Sequence, residues 1–188
     1  MPYPSQFSHE QLIQTARTLF EQHGYEAVSM AQVAGALGIK ASSLYKHVSD
    51  KNALLREVNT LTLQELAAVL QAAIEGASTP YEQCLAMGRA YCAFALAHPT
   101  TYELAFIRQY NATPDTQLND RLALPVQAVF ASTLGKEESL DALRGAWAFL
   151  HGYVSLRLGN HFRRGGELDY ERAWCAYLAG WELTPESR

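Results

Sequence analysis

The sequence predicts an all-α chain of about nine helices. Three observations carry this. Helix-starting motifs recur along the chain, glycines and prolines punctuate the intervals between them, and no stretch sustains the apolar–polar alternation of a strand. With 188 residues there is enough chain to bury a core in one or two domains, and 48% hydrophobic against 18% charged residues is a globular composition.

The first helix is expected over 8–23. Ser8-His9-Glu10-Gln11 has capping-box spacing, with Phe7 and Leu12 placed as a hydrophobic staple, and Gly24 stops it. The same grammar at Ser29-Met30-Ala31-Gln32, flanked by Val28 and Val33, starts a second helix over 29–36. Gly38 then permits a tight turn through positive φ before a third helix over 40–47. A long helix follows over 50–75, closed by Gly76. Thr79-Pro80-Tyr81-Glu82 opens another over 80–97, with proline at the first helical position. Pro99 ends it, and Thr100-Thr101-Tyr102-Glu103 begins a helix over 100–110. The last three helices are expected over 118–134, where Pro125 should kink or split the helix, over 138–161 and over 169–183, with Gly165-Gly166 as the final turn. The domain seam is expected near Asp50, separating 1–50 from 51–188.

Net charge is −4, unevenly spread: five Lys/Arg face four Asp/Glu up to residue 56, and ten face fifteen thereafter. Leu37 to Val48 holds Lys40, Lys46 and His47 and no acid. Phosphate binding needs positive charge on the docking face, not a basic protein overall. The segment from Ser29 to Val48 is too short for two independent helices, so they must share an apolar seam of Val33, Ala34, Leu37, Ile39, Leu44 and Val48. Leu12, Ala16, Leu19 and Phe20 of the first helix supply the third wall. Outward on the third helix remain Lys40, Ala41, Ser42, Ser43, Tyr45, Lys46 and His47. Small residues there permit close approach to base edges in a major groove, while Tyr45, His47 and Lys46 suit phosphate. Lys51 sits where the helix macrodipole disfavours a cation; a phosphate on that helix end would reverse the penalty.

The stretch GYEAVSMAQVAGALGIKASSLYKHVSDKNALLREV, residues 24–58, resembles the N-terminal DNA-binding region of the TetR family of transcriptional regulators. Matching positions include Gly24-Tyr25, Ser29, Val33-Ala34, Leu37-Gly38-Ile39, Leu44-Tyr45, His47, Lys51 and Leu54-Leu55. The resemblance implies a helix-turn-helix DNA-binding domain over 1–50 and a helical effector-binding and dimerisation domain over 51–188. It implies that Ser29, Lys40, Ser42, Tyr45, Lys46, His47 and Lys51 contact DNA; Ala41 and Ser43 join them from the reading of the helix face. Val48 departs from the family pattern, which is often aromatic there. AWAFLHGYVSLRLGNHF, residues 146–162, resembles the C-terminal subgroup named for a Trp-His-Gly motif through Trp147, His151 and Gly152.

The helix over 138–161 carries two apolar stripes, Leu143/Trp147/Leu150/Val154 and Ala146/Phe149/Tyr153/Leu156. The last helix presents Tyr170, Trp174, Tyr177 and Trp181 on helical spacing. These features make Phe149, Tyr153, Leu156, Trp174, Tyr177 and Trp181 candidates for a homodimer interface built as a four-helix bundle, with a monomer core as the alternative. Tyr91, Phe94, Tyr102, Phe106, Tyr110, Trp147 and His151 are candidates for lining an effector pocket, again with core packing as the alternative.

The expected partners are therefore double-stranded DNA carrying an inverted-repeat operator, a second copy of the chain, and a small-molecule effector; repression is the expected mode. Enzymatic activity is not expected. His151 has no metal partner at helical spacing, the remaining histidines and cysteines lack ligand spacing, and no phosphate-binding or nucleophile-elbow motif occurs. No cofactor or metal is expected. A helical interaction module without DNA binding is the other alternative, and the polar face around Ser42, Tyr45 and Lys46 argues against it. Cys84, Cys92 and Cys175 read as reduced thiols of a cytoplasmic protein, and neither a secretory signal nor a membrane span is expected.

Overall fold

A computed structural model describes residues 7–106, 116–162 and 170–184. Its helices, among the described residues, are α1 (His9–His23), α2 (Met30–Ala36), α3 (Ala41–Leu44), α4 (Lys51–Glu75), α5 (Pro80–Ala97), α6 (Pro99–Phe106), α7 (Thr116–Ala131), α8 (Lys136–Leu158) and α9 (Tyr170–Ala179). The all-α reading holds. Among the described residues no helix is long and apolar enough to cross a membrane. The Gly165-Gly166 turn and Tyr110 lie outside the described residues.

The chain divides into two compact units, but not at residue 50. One unit gathers the described residues up to Leu63 with the segment from His98 through α6; the other takes Gln64–Ala97 and the described residues after 115. The expected seam misplaces the first half of α4, whose Leu54, Leu55 and Val58 belong to the same core as α1–α3.

In the first unit the local signals act as read. Ser8 and Ser29 each accept from the amide three residues on, while Gln11 and Gln32 reach back to the Ser8 and Ser29 amides at 2.7 Å. Gly38, at φ +70°, closes α2 as a Schellman motif: its N–H donates to the Gly35 carbonyl at 3.0 Å, and Ile39 N–H donates to the Ala34 carbonyl at 2.9 Å. A side chain at that φ would be strained, so glycine fixes how sharply α3 leaves α2. Leu12, Ala16, Phe20, Val33, Leu44 and Leu54 are buried to within 1%. Full burial of one such large side chain contributes about 1.5–3 kcal/mol, which is what clamps a helix of four residues in place.

Two features depart from the expectation. The third helix is shorter than 40–47, because after Leu44 the backbone tightens into turns, with Lys46 and His47 N–H donating to the carbonyls three residues back. At α6, the N-terminus is held from a distance. The Thr100 and Thr101 amides donate to the Glu21 carboxylate of α1 at 3.1 and 3.0 Å, and the Thr101 hydroxyl does the same.

In the second unit α8 packs against α7, α5 and α9. Trp174 is fully buried. Its indole N–H donates to the Cys84 carbonyl at 3.0 Å, and the ring lies over Gly88, where a Cβ would stand 2.6 Å from Nε1. Tyr177 stacks on Trp174 at 5.1 Å and its hydroxyl donates to the Ala142 carbonyl at 2.6 Å. Arg89 pairs with Glu171, tying α5 to α9. Pro125 does not split α7, which continues through it. Cys84, Cys92 and Cys175 are free thiols; burial pushes Cys84 and Cys92 up to about 12, so both stay protonated.

Candidate nucleic-acid interface

The outward side of α3 is set by Leu44, which is fully buried and turns the residues around it away from the core. Lys40, Ser42, Tyr45, Lys46 and His47 are exposed, while Ala41 and Ser43 are half-buried. Tyr45 is 51% exposed, unusual for a large aromatic beside a well-filled core. Its ring therefore stands at the surface and not in the three-helix core. The His47 ring leans on Phe7 with centroids 4.9 Å apart, so it is positioned although exposed. Lys40 precedes α3 without any side-chain cap on the first turn.

Ser29 and Lys51 differ from the others. Ser29 is exposed, but its hydroxyl serves the α2 cap and also donates to Gln32 Oε1 at 2.8 Å. Lys51 Nζ donates to the Glu26 carbonyl at 3.0 Å, which ties the start of α4 to the α1–α2 turn. The anion at the start of α4 is internal: Asp50 Oδ1 accepts from the Ala53 amide at 2.8 Å, and that bond holds its carboxyl below the usual range. A phosphate is thus not needed to offset the cation at Lys51, and the Lys51–phosphate argument from the macrodipole loses its force. Aspartate before a helix is a strong cap signal, so Asp50 was open to recognition from the sequence.

The described aromatic pocket candidates fall in both units and are buried to different degrees. Tyr91 and Tyr102 are fully buried, and Phe94 is 7% exposed. Tyr91 packs on the half-buried Trp147 with centroids 5.4 Å apart, and Tyr102 packs on Phe106 at 4.9 Å in the other unit. For Tyr91 and Tyr102 the core alternative is the one the packing favours. His151 is half-buried and burial lowers its pKa, which favours the neutral ring.

The second unit also carries open space among its described residues. A groove of about 340 Å³ is lined by Gln71, Ile74, Gln83, Pro125, Ala128, Val129 and Ser132 of α4, α5, α7 and the turn after α7. No aromatic marks it, which is why a search for aromatic clusters passes it by.

The dimer candidates also separate. Trp174 has no surface to offer a second copy, and Tyr153 is 8% exposed; both are corrected to core residues of their own unit. Phe149 and Tyr177 stack with Trp174 and are half-buried, as is Trp181. Both stripes of α8 are covered largely from within the unit, by α5, α7 and α9. Leu156 is the exception at 45% exposed, next to Gly152, above which a Cβ would meet nothing within 4 Å.

Comparison with known proteins agrees with the helix-turn-helix geometry. Residues 12–58 match the family described as "Bacterial regulatory proteins, tetR family", and residues 84–179 match "Tetracyclin repressor-like, C-terminal domain". The chain is 30% identical to the uncharacterized HTH-type transcriptional regulator Rv0681 of Mycobacterium tuberculosis, over 82% of its own length and 72% of that protein's. It is 35% identical to the HTH-type transcriptional repressor ComR of Escherichia coli, over 44% of this chain and 40% of that one. Among solved structures, a protein of unknown function from Rhodococcus sp. RHA1 superposes with TM-score 0.76 at 22% identity, covering 96% of this chain and 98% of the other. A polar, exposed α3 on a clamped three-helix core, together with matches over both halves of the sequence, shows that the chain belongs to the TetR family of DNA-binding transcriptional regulators.

Proposed function

We propose that the chain is a repressor that binds an inverted-repeat operator as a homodimer and leaves it when a small molecule binds the second unit. The observation that carries the DNA reading is the exposed Tyr45 at the centre of a polar, acid-free face: Lys40, Ala41, Ser42 and Ser43 approach base edges, and Tyr45, Lys46 and His47 hold phosphates. Ser29 and Lys51 flank this face as further phosphate contacts: Lys51 keeps ammonium protons beyond the one given to the Glu26 carbonyl, while the Ser29 hydroxyl must release Gln32 Oε1 to donate to a phosphate. Two such faces related by a two-fold enter successive major grooves about 34–36 Å apart.

The dimer is built on α8 and α9. Leu156 and Gly152 leave an open strip on α8, and half-buried Phe149, Tyr177 and Trp181 border α9. Trp147, His151 and Gly152 support placing the C-terminal half in the Trp-His-Gly subgroup. Repression follows the role of relatives such as the transcriptional repressor ComR. Effector binding acts on α4, which begins in one unit and ends in the other, and a coupling of about 1–3 kcal/mol gives a 5–150-fold loss of DNA affinity. Such a regulator works in the cytoplasm.

Hydrogen exchange with and without sheared genomic DNA at low ionic strength tests the reading without knowledge of the operator. Protection is expected over residues 40–48. Protection that spares this segment removes the DNA-facing role of α3.

A further inference from the structure

The groove of the second unit has a definite chemical character. Its lining carries no charged side chain: Ile74, Pro125, Ala128 and Val129 are apolar, and Gln71, Gln83 and Ser132 are neutral. The polar groups are held by the chain itself. Gln71 Nε2 donates to Glu75 Oε1 at 2.6 Å, and Gln83 Nε2 donates to the Ala77 carbonyl at 3.3 Å. Both partners can only accept, so neither amide can be flipped. The Ser132 hydroxyl spends its proton on the Val129 carbonyl at 2.7 Å. Fixed in this way, the two amide oxygens and the Ser132 oxygen remain as acceptors toward an incoming donor.

Behind the groove, and sharing Ile74, Gln83 and Val129 with it, runs a seam lined further by Cys84, Met87 and Val126 that has no space for a water. Methionine adapts its shape readily, so Met87 is the side chain able to yield to an apolar group. An apolar seam meeting neutral acceptors admits one kind of guest comfortably. An anion would be taken from water with no cation to receive it, and burial of an unpaired charge is strongly disfavoured.

We propose that this groove binds an uncharged amphiphile, with a short apolar end directed to the Met87 seam and a hydroxyl or amide head donating to Gln71, Gln83 and Ser132. This rests on the effector reading above and names the class of molecule.

The test uses the full chain labelled with ¹³C-methyl methionine. The chain has three methionines. Met87 lines the seam, and Met30, 8% exposed in the core of the other unit, is an internal control. Hexanamide, hexan-1-ol, hexanoate and hexylammonium are titrated separately, with DNA affinity followed in parallel. Hexanamide and hexan-1-ol are expected to move the Met87 signal saturably and leave Met30 in place, with hexanoate and hexylammonium at least about tenfold weaker. Gln83→Leu is expected to weaken hexanamide several-fold, and Val129→Phe, which fills the groove, to remove the response. An unmoved Met87, equal binding of either ion, or responses unchanged in both variants overturns the proposal. If Met87 moves and DNA affinity does not, the site stands and effector release falls. If DNA affinity drops while Met87 is still, the site falls and release stands.

Discussion

Lys46→Ala isolates the electrostatic part of DNA recognition. Lys46 is exposed beside Tyr45, in a turn whose hydrogen bonds are all backbone to backbone, so its removal should leave folding within about 0.5 kcal/mol of the parent. If its ammonium neutralises one phosphate, a dimer loses two contacts. The dependence of log affinity on log salt then falls by about 1.8, at about 0.9 per phosphate. Between 50 and 200 mM salt this makes the affinity ratio of parent to variant shrink about 12-fold. Fluorescence anisotropy on one duplex across that range, with thermal melts of both proteins, reads all three quantities. An unchanged salt slope in a variant that melts normally would refute the placement of Lys46 on the phosphate backbone.

The remaining predictions concern the fold. Glu21→Ala removes the carboxylate that caps α6, two of whose bonds are to backbone amides, and should cost about 1–3 kcal/mol in urea denaturation; a neutral result means α6 is capped some other way. Gly88→Ala places a Cβ 2.6 Å from Trp174 Nε1. Overpacking and a weakened indole bond outweigh the gain of about 1 kcal/mol in helix propensity, for a net loss of about 1–3 kcal/mol; a raised melting temperature would show the ring moves freely. Asp50 and Glu82 are held below the usual carboxylate pKa by the amides they cap, Ala53 for the first and Thr79 for the second. The folded pKa is below the unfolded one, so their contribution is present above the unfolded value near pH 4 (about 3.9–4.3) and is lost as pH falls below it. The double variant Asp50→Asn, Glu82→Gln should flatten stability against pH below about pH 4, and identical acid limbs would contradict this.

Local grammar was legible wherever one turn of chain settles the matter. Both serine capping boxes and the Gly38 turn are set by residues within five positions of each other, and the sequence displays them directly. The polar face of α3 was legible for a related reason, since buried Leu44 and Val48 fix which side faces out. Glu21 could not be read this way. It meets Thr100 and Thr101 across about 80 residues, and a glutamate inside an amphipathic helix has no local mark of such a partner. The aromatic surfaces misled for a physical reason: helical spacing shows that a stripe is buried but not by what. Trp174 and Tyr153 are covered by their own unit, as Tyr91 is. The groove escaped because neutral glutamines and small apolar residues have no signature until the helices bring them together.

Selection of bound duplexes from a random library, using the intact chain, tests most directly whether the face around Tyr45 reads DNA twice per dimer. Enrichment of an inverted repeat with half-site centres one helical turn apart, about 34–36 Å, is the predicted result, and it should vanish with Tyr45→Ala while the fold persists. Recovery of no common sequence, or of one unaffected by that change, would contradict the account.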